Sequence, residues 1–313
     1  MQNKFTELRI NRDFGDILSV YFEFLKQNIK SFTNVFLRYN GISLIGLLIV
    51  SYLLVSGFIG VFVYEGRNAY GGSTEILEEK YTAYIISGVV LFLVIFIITT
   101  ALNYSLASSY MIRYQENKGQ DFQPQEAWSL VKERLGSILL FVFCLILMFI
   151  GLIVVSFILL LVPFVGIFAY YILLFFFIAW VGVSFFHMMQ EDKGIVDSLK
   201  EGWNLVFDNF WKSVGTNFIL GILNNLIQIV LDIIPFVIVG IYTFHAVESN
   251  TDFSESVLAT VIYTLGVWFA LAVGIYGYCL SQFVNGVLYY SLHEKKYNIY
   301  TRSKIEEIGK SSL

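Results

Sequence analysis

One apolar block of about 50 residues, 137–188, constrains this chain more than any other feature; a single proline interrupts it, at Leu161-Val162-Pro163-Phe164. A membrane-spanning helix needs roughly 20 predominantly apolar residues. Proline ends one helix or opens the next, so the block divides into two spans, 137–161 and 164–188. Stretches 41–64, 83–110, 214–241 and 257–290 have the same character and bring the expected spans to six. Strand alternation is absent, which excludes a transmembrane β-barrel. Only 14% of the residues are charged and 57% are hydrophobic, whereas an ordinary soluble domain carries about 25% charged residues. A chain of 313 residues cannot hide that much apolar surface in one soluble core. The fold class expected is therefore all-α and integral to the membrane, with the lipid bilayer as its first partner.

Charge then orients the spans. Segments 1–40, 111–136, 189–213 and 291–313 hold 18 of the 20 Lys and Arg residues. The intervening segments 65–82 and 243–256 hold only Arg67 and Lys80, beside seven acids. Short loops rich in Lys and Arg stay on the cytoplasmic side, so both termini are expected there. The first 40 or so residues lack the apolar core of a signal peptide, and insertion is expected through the spans themselves. A net charge of −4 gives no indication of nucleic-acid binding. Cys144 and Cys279 both lie in apolar runs, without a CxxC or a disulfide framework, and read as buried free thiols.

The basic segments carry a helical pattern of their own. Residues 195–210 place Ile195, Leu199, Trp203, Val206 and Phe210 on one face; 14–36 do so with Phe14, Leu18, Tyr21, Leu25, Ile29, Phe32 and Phe36; 125–138 with Trp128, Val131, Leu135 and Ile138. Spacings of three and four make these amphipathic helices. Adjacent to spans, they are expected in the membrane interface, with Trp128 and Trp203 as anchors. Tyr110, Tyr114, Tyr289 and Tyr290 near span ends are expected in the same aromatic belt, 294–313 as a polar cytoplasmic tail, and 65–80 and 296–313 as mobile at the tips.

Two of these segments repeat each other. QENKGQDFQPQEAWSLV (115–131) and QEDKGIVDSLKEGWNLV (190–206) share eight of 17 positions without a gap. His293-Glu294-Lys295-Lys296 and the N-terminal Asp16, Leu18 and Asn28 give fainter echoes. The simplest organisation is a single polytopic domain, 1–293. It holds three parallel units (1–113, 114–189 and 190–293), each an interfacial helix followed by a transmembrane hairpin.

Phe14-Gly15-Asp16-Ile17-Leu18 and the entries Glu126–Trp128 and Glu201–Trp203, within this organisation, resemble a group of bacterial multipass membrane families. That group includes the membrane domain that accompanies glycerophosphodiester phosphodiesterases. The resemblance implies a bacterial inner-membrane location. The family's hydrolytic activity resides in a separate soluble barrel, for which this chain has neither room nor matching metal-binding residues, so no such activity is implied.

Candidate chemistry concentrates on the last two spans. Asp232 is the one acid clearly inside a span, where a charge is costly unless paired, protonated or hydrated. Asn217, Gly221, Asn224, Gln228 and Asp232 recur at steps of three and four, and Pro235 follows as a candidate kink. Gly266, Ala270, Gly274, Gly277, Ser281 and Asn285 form a small and polar face on the last span, suited to close helix approach. Thr99, Thr100, Asn103 and Ala107 add a further face on the second. The stripe Asn217, Asn224, Gln228, Asp232, Ser281 and Asn285 is thus the candidate cavity or substrate path; the alternative is plain interhelical glue. His245, Glu248 and Asp252 share one loop but read as hydrated, so no metal and no cofactor is expected. No phosphate-binding glycine loop, serine elbow or nucleotide motif occurs, and an enzyme is not expected. The leading expectation is a scaffold or subunit of a membrane assembly, with a membrane-protein partner or a second copy of itself. The alternative is a transporter or lipid-handling protein.

Overall fold

The computed structural model describes residues 5–68, 75–120, 122–249 and 256–311. Among them nine α-helices and no strand occur. They are α1 (Phe14–Asn68), α2 (Glu75–Glu116), α3 (Pro124–Glu133), α4 (Leu135–Leu160), α5 (Val165–Glu191), α6 (Ile195–Phe207), α7 (Phe210–Glu248), α8 (Val257–Tyr297) and α9 (Ile299–Ser311). Six of these, α1, α2, α4, α5, α7 and α8, are long and apolar enough to cross a membrane. The protein is an all-α, multi-pass membrane protein.

The breaks fall where local chemistry demands them. Between α4 and α5 the chain turns at Pro163, with Phe164 at a φ of 61°. Gly166 makes the return possible, since a Cβ there would lie 1.9 Å from the Leu159 carbonyl oxygen. Helix α2 ends in Lys118 (φ 50°) and Gly119 (φ 73°), α5 in Asp192 (φ 53°) and α8 in Asn298 (φ 52°). Each left-handed residue stops one helix and is followed by a short one: α3, α6 or α9.

Two expectations change here. Residues 14–36 are not a separate interfacial helix but the first part of the 55-residue α1. No proline, cap or left-handed residue separates Phe36 from the span, so the helix propagates through. The tail, expected to be mobile, contains a helix of 13 residues, α9. The Glu294 carboxylate starts it by accepting the N–H groups of Tyr300 and Thr301, both at 3.0 Å. Pro235 lies inside α7, which continues through it.

The chain forms two compact units. The first takes its described residues from 1–36, 101–224 and 278–313. Its axis is the second half of α8, where Cys279, Gln282, Phe283, Asn285, Val287, Leu288, Tyr289, Tyr290 and Ser291 are all buried. Phe24, Phe32, Tyr110 and Phe283 pack edge to face around it, Phe32 and Phe283 with centroids 4.6 Å apart. Such geometry aligns ring edges with π-faces and adds to the burial of the rings. Tyr110, Tyr114, Tyr289 and Tyr290 are at most 4% exposed. They are core residues, not the interface belt their positions suggested.

The second unit comprises 37–100 and 225–277. Glycines bring its helices together, as small residues do inside membranes. A Cβ on Gly57 would meet Ile85, and one on Gly60 would meet the Tyr81 ring. Trp268 donates its indole N–H to the Leu44 carbonyl at 2.8 Å, tying α8 to α1. Gly266 receives Val239, and Gly277 the amide of Gln228. These last contacts confirm that α7 and α8 face each other through the small residues of α8.

Candidate functional site

In the first unit α8 presents polar groups to α5 and α2. Gln282 donates to the Ser108 hydroxyl at 2.8 Å and to the Gly182 carbonyl at 3.3 Å. One turn on, Asn285 is fully buried, and neither of its side-chain polar atoms has a hydrogen-bond partner among the described residues. It fits only because α5 has glycine opposite: a Cβ on Gly182 would lie 2.0 Å from the Asn285 Nδ2. The next turn brings Tyr289, whose hydroxyl lies 3.2 Å from His187 Nδ1 and donates to Glu191 at 3.4 Å. His293 follows, buried, its ring centroid 6.2 Å from that of His187. Tyr290 donates to Gln190 at 2.7 Å while its ring faces the Arg9 guanidinium.

This seam connects to the basic end of the chain. Lys212 donates to the Ser291 hydroxyl and to the Arg12 carbonyl. Lys296 bonds both carboxylate oxygens of Glu201 at 2.8 and 2.9 Å, and Tyr297 donates to the same group. Arg134 pairs with Asp192. Arg12, which donates to the Leu8 and Ile10 carbonyls, has its pKa lowered from the usual guanidinium value, chiefly by burial.

Helix α6 docks on α5 through a small-residue contact. A Cβ on Gly202 would lie 2.0 Å from the Ser184 hydroxyl and 2.9 Å from its Cα. Trp180 of α5 donates to the Leu199 carbonyl at 2.9 Å. The buried side of α6 is Ser198, Gly202, Leu205 and Val206, whereas Val196, Trp203 and Phe207 are exposed. The expected face, Ile195-Leu199-Trp203-Val206-Phe210, is thus split between protein and surroundings. Trp203 is 40% exposed, edge-on to Trp180 and stacked on Phe207; Trp128 on α3 is half-buried.

The six predicted path residues divide between the units. In the first, Asn217 donates to the Ser213 carbonyl of its own helix at 3.2 Å. Asn224 accepts the Tyr21 hydroxyl at 2.6 Å, and Ser281 lies near the Tyr104 hydroxyl. Asn285 belongs to the α5–α8 seam. In the second, Gln228 lies against Gly277. Asp232 sits in a groove of about 350 Å³ whose other walls are Ile229, Ile233, Phe236 and Val237, all of α7. Its Oδ1 has no partner among the described residues.

Sequence reasoning gave Gln282 and His187 no role, and read Tyr289 as part of the interface belt and His293 as part of a repeat echo. The signal available was their spacing, with Gln282, Asn285, Tyr289 and His293 at steps of three and four. Cys279 is buried as expected, but Cys144 is only half-buried. Among the described residues no three His, Cys, Asp or Glu side chains gather into a metal site. His245 and Glu248 lie 3.7 Å apart, and Asp252 lies outside the described residues. Comparison with protein-family models, with curated proteins and with solved structures finds no match to this chain.

Proposed function

We propose that this protein is a non-enzymatic subunit or scaffold of an assembly in a bacterial inner membrane, with both termini cytoplasmic. The observation that carries the reading is the setting of Asp232. Leu226, Ile229, Val230, Ile233, Ile234, Phe236, Val237, Ile238 and Ile241 are all exposed on the same stretch of α7. Among the described residues, all walls of the groove at Asp232 belong to α7. A carboxylate at the centre of a lipid-facing helix costs about 2.5–3.5 kcal/mol. Burying it against a polar group of a neighbouring transmembrane helix removes much of that cost, and such contacts hold membrane helices together. The exposed apolar flank of α6, with Trp203 and Phe207, supports an interfacial seat for that helix.

The alternative, a transporter or lipid-handling protein with a path along α7 and α8, draws on the same polar stripe. Asn217 and Asn224 already have hydrogen bonds within the protein, Asn224 to Tyr21 of another helix, which favours a structural role at those two. Native mass spectrometry of particles extracted into nanodiscs tests the proposal. A defined protein partner or a second copy is expected in the wild type, lost in Asp232→Leu and retained at least partly in Asp232→Asn. A wild-type particle that is always a lone chain overturns it.

A further inference from the structure

A second cavity, unrelated to Asp232, opens in the first unit beside the N-terminal part of α1. Its volume is about 300 Å³, at the lower end of the range for small-molecule sites. Its floor is built from buried groups already locked to one another. Tyr110 donates to Asn28 at 3.0 Å, and Asn28 donates to the Phe24 carbonyl at 2.9 Å. Tyr114 donates to Gln27 at 3.2 Å and accepts the Thr6 N–H at 2.9 Å. A floor held in this way does not need to reorganise when something binds.

The rim is different. Lys30, Ser31, Asn34 and Gln120 line the cavity and are exposed. Their side chains make no hydrogen bond to another described residue. Together they offer an ammonium, a hydroxyl and two carboxamides, and no carboxylate stands among the described lining residues. Phe5 and Phe122 close the sides with apolar ring surface. Gly119 shapes the wall: at a φ of 73° it turns the chain, and a Cβ there would lie 2.8 Å from the Phe5 ring.

We infer that this cavity binds a single phosphate ester carrying hydroxyl or other hydrogen-bonding groups. One ammonium surrounded by neutral donors matches a single anionic phosphate; a neutral polyol would leave Lys30 unused. The aromatic walls suit the carbon skeleton of the ester. The same chemistry is presented by an anionic phospholipid headgroup and by a water-soluble phosphate ester. In the orientation expected from the Lys and Arg distribution, the cavity lies on the cytoplasmic side, where either is within reach.

The test uses the full chain in nanodiscs. In one arm the bilayer mixes phosphatidylcholine with phosphatidylglycerol, and native mass spectrometry counts anionic lipid retained per protein. In the other arm the bilayer is phosphatidylcholine alone, and glycerol 3-phosphate is titrated calorimetrically. Lys30→Gln and Asn34→Leu alter exposed positions and leave the floor intact. Lys26→Gln removes the same charge from α1 outside the cavity lining. Binding that falls at least about tenfold in Lys30→Gln and Asn34→Leu, but not in Lys26→Gln, is expected from the loss of charge-assisted and neutral donors. Seen in the first arm it identifies a lipid headgroup; seen in the second, a soluble ester. Absence of binding in both arms, or equal loss in Lys26→Gln, overturns the inference.

Discussion

Replacing Gly182 with alanine tests the central contact of the first unit. The new methyl would lie 2.0 Å from Asn285 Nδ2, 2.3 Å from its Cγ and 2.8 Å from its Cβ. Asn285 is fully buried, so its amide cannot swing aside into water, and either α5 or α8 must shift. Overpacking of this kind costs about 1–3 kcal/mol. Alanine's higher helix propensity returns up to about 1 kcal/mol. The net expectation is a loss of about 1–2 kcal/mol.

The partner substitution gives the experiment its sign. Asn285→Ala removes an amide that has no hydrogen-bond partner among the described residues. Leaving such a group buried costs about 1–3 kcal/mol, and its removal offsets the cavity it leaves. Asn285→Ala alone should therefore change stability by less than about 1 kcal/mol. In the double variant the methyl added at Gly182 occupies part of the space that the amide vacated. A favourable coupling of at least about 1 kcal/mol is expected between the two sites. The assay is reversible unfolding of the four proteins in mixed micelles, followed by the fluorescence of Trp180 and Trp203, which lie edge to face 5.0 Å apart. Single effects that add within about 0.5 kcal/mol would refute the α5–α8 contact.

Gly202→Val should lift α6 from α5, because the Ser184 Cα that its Cβ meets is backbone and cannot rotate away; faster proteolysis after residues 192–194 reports it. Trp180→Phe removes the bond to the Leu199 carbonyl and should cost about 1 kcal/mol, read in the same micelle titration. Glu294→Ala leaves the Tyr300 and Thr301 N–H groups without the acceptor that starts α9; amide exchange over 299–311 should accelerate while that of α8 before residue 290 stays slow. In a background lacking Cys144 and Cys279, an impermeant thiol reagent should label Lys80→Cys in intact cells and Lys304→Cys only after lysis; the reverse pattern would invert the orientation.

The six spans, the break at Pro163 and the close approach of α7 to α8 at Gly266 and Gly277 were legible in the sequence. Each depends on interactions local in the chain or on a residue type with one dominant effect. A run of apolar residues is read without knowing its neighbours, and proline or glycine acts wherever it stands. The capping of α9 by Glu294 was not legible, because a glutamate followed by two lysines reads equally well as a solvated charge run. The α5–α8 seam was missed for a related reason. Tyr289 and His293 sit where a span gives way to basic residues, and at that depth aromatic residues usually face headgroups. Only the packing of α5 against them turns that position into an interior.

The amphipathic segments show a more general cause. On α1 the apolar reading selected Phe14, Leu18, Tyr21, Leu25, Ile29, Phe32 and Phe36. The buried line is Ile17, Tyr21, Phe24, Asn28, Phe32, Val35 and Phe36, which keeps Tyr21, Phe32 and Phe36 and is otherwise rotated by part of a turn. On α6 the displacement is in the same sense: Ser198, Gly202 and Leu205 are buried, each one residue before the expected Leu199, Trp203 and Val206, of which Val206 is buried too and Trp203 is exposed. In water a helix buries its largest apolar side chains, so the stripe marks the protein side. In or beside a bilayer the apolar side chains have a second apolar solvent, and the hydrophobic effect no longer distinguishes protein from lipid. What then selects the protein side is close approach and hydrogen bonding, supplied here by Gly202 against Ser184, Asn28 with Tyr110, and Gly182 against Asn285. On α6 the face that meets its own protein is therefore the one with the small residues, whereas on α1 large rings and Asn28 share it. On the C-terminal half of α7 Asp232 stands among exposed apolar residues, in a groove whose described walls all belong to α7. Under the proposal of a membrane assembly, that acid is the polar group on the flank that a neighbouring helix of another chain would pair.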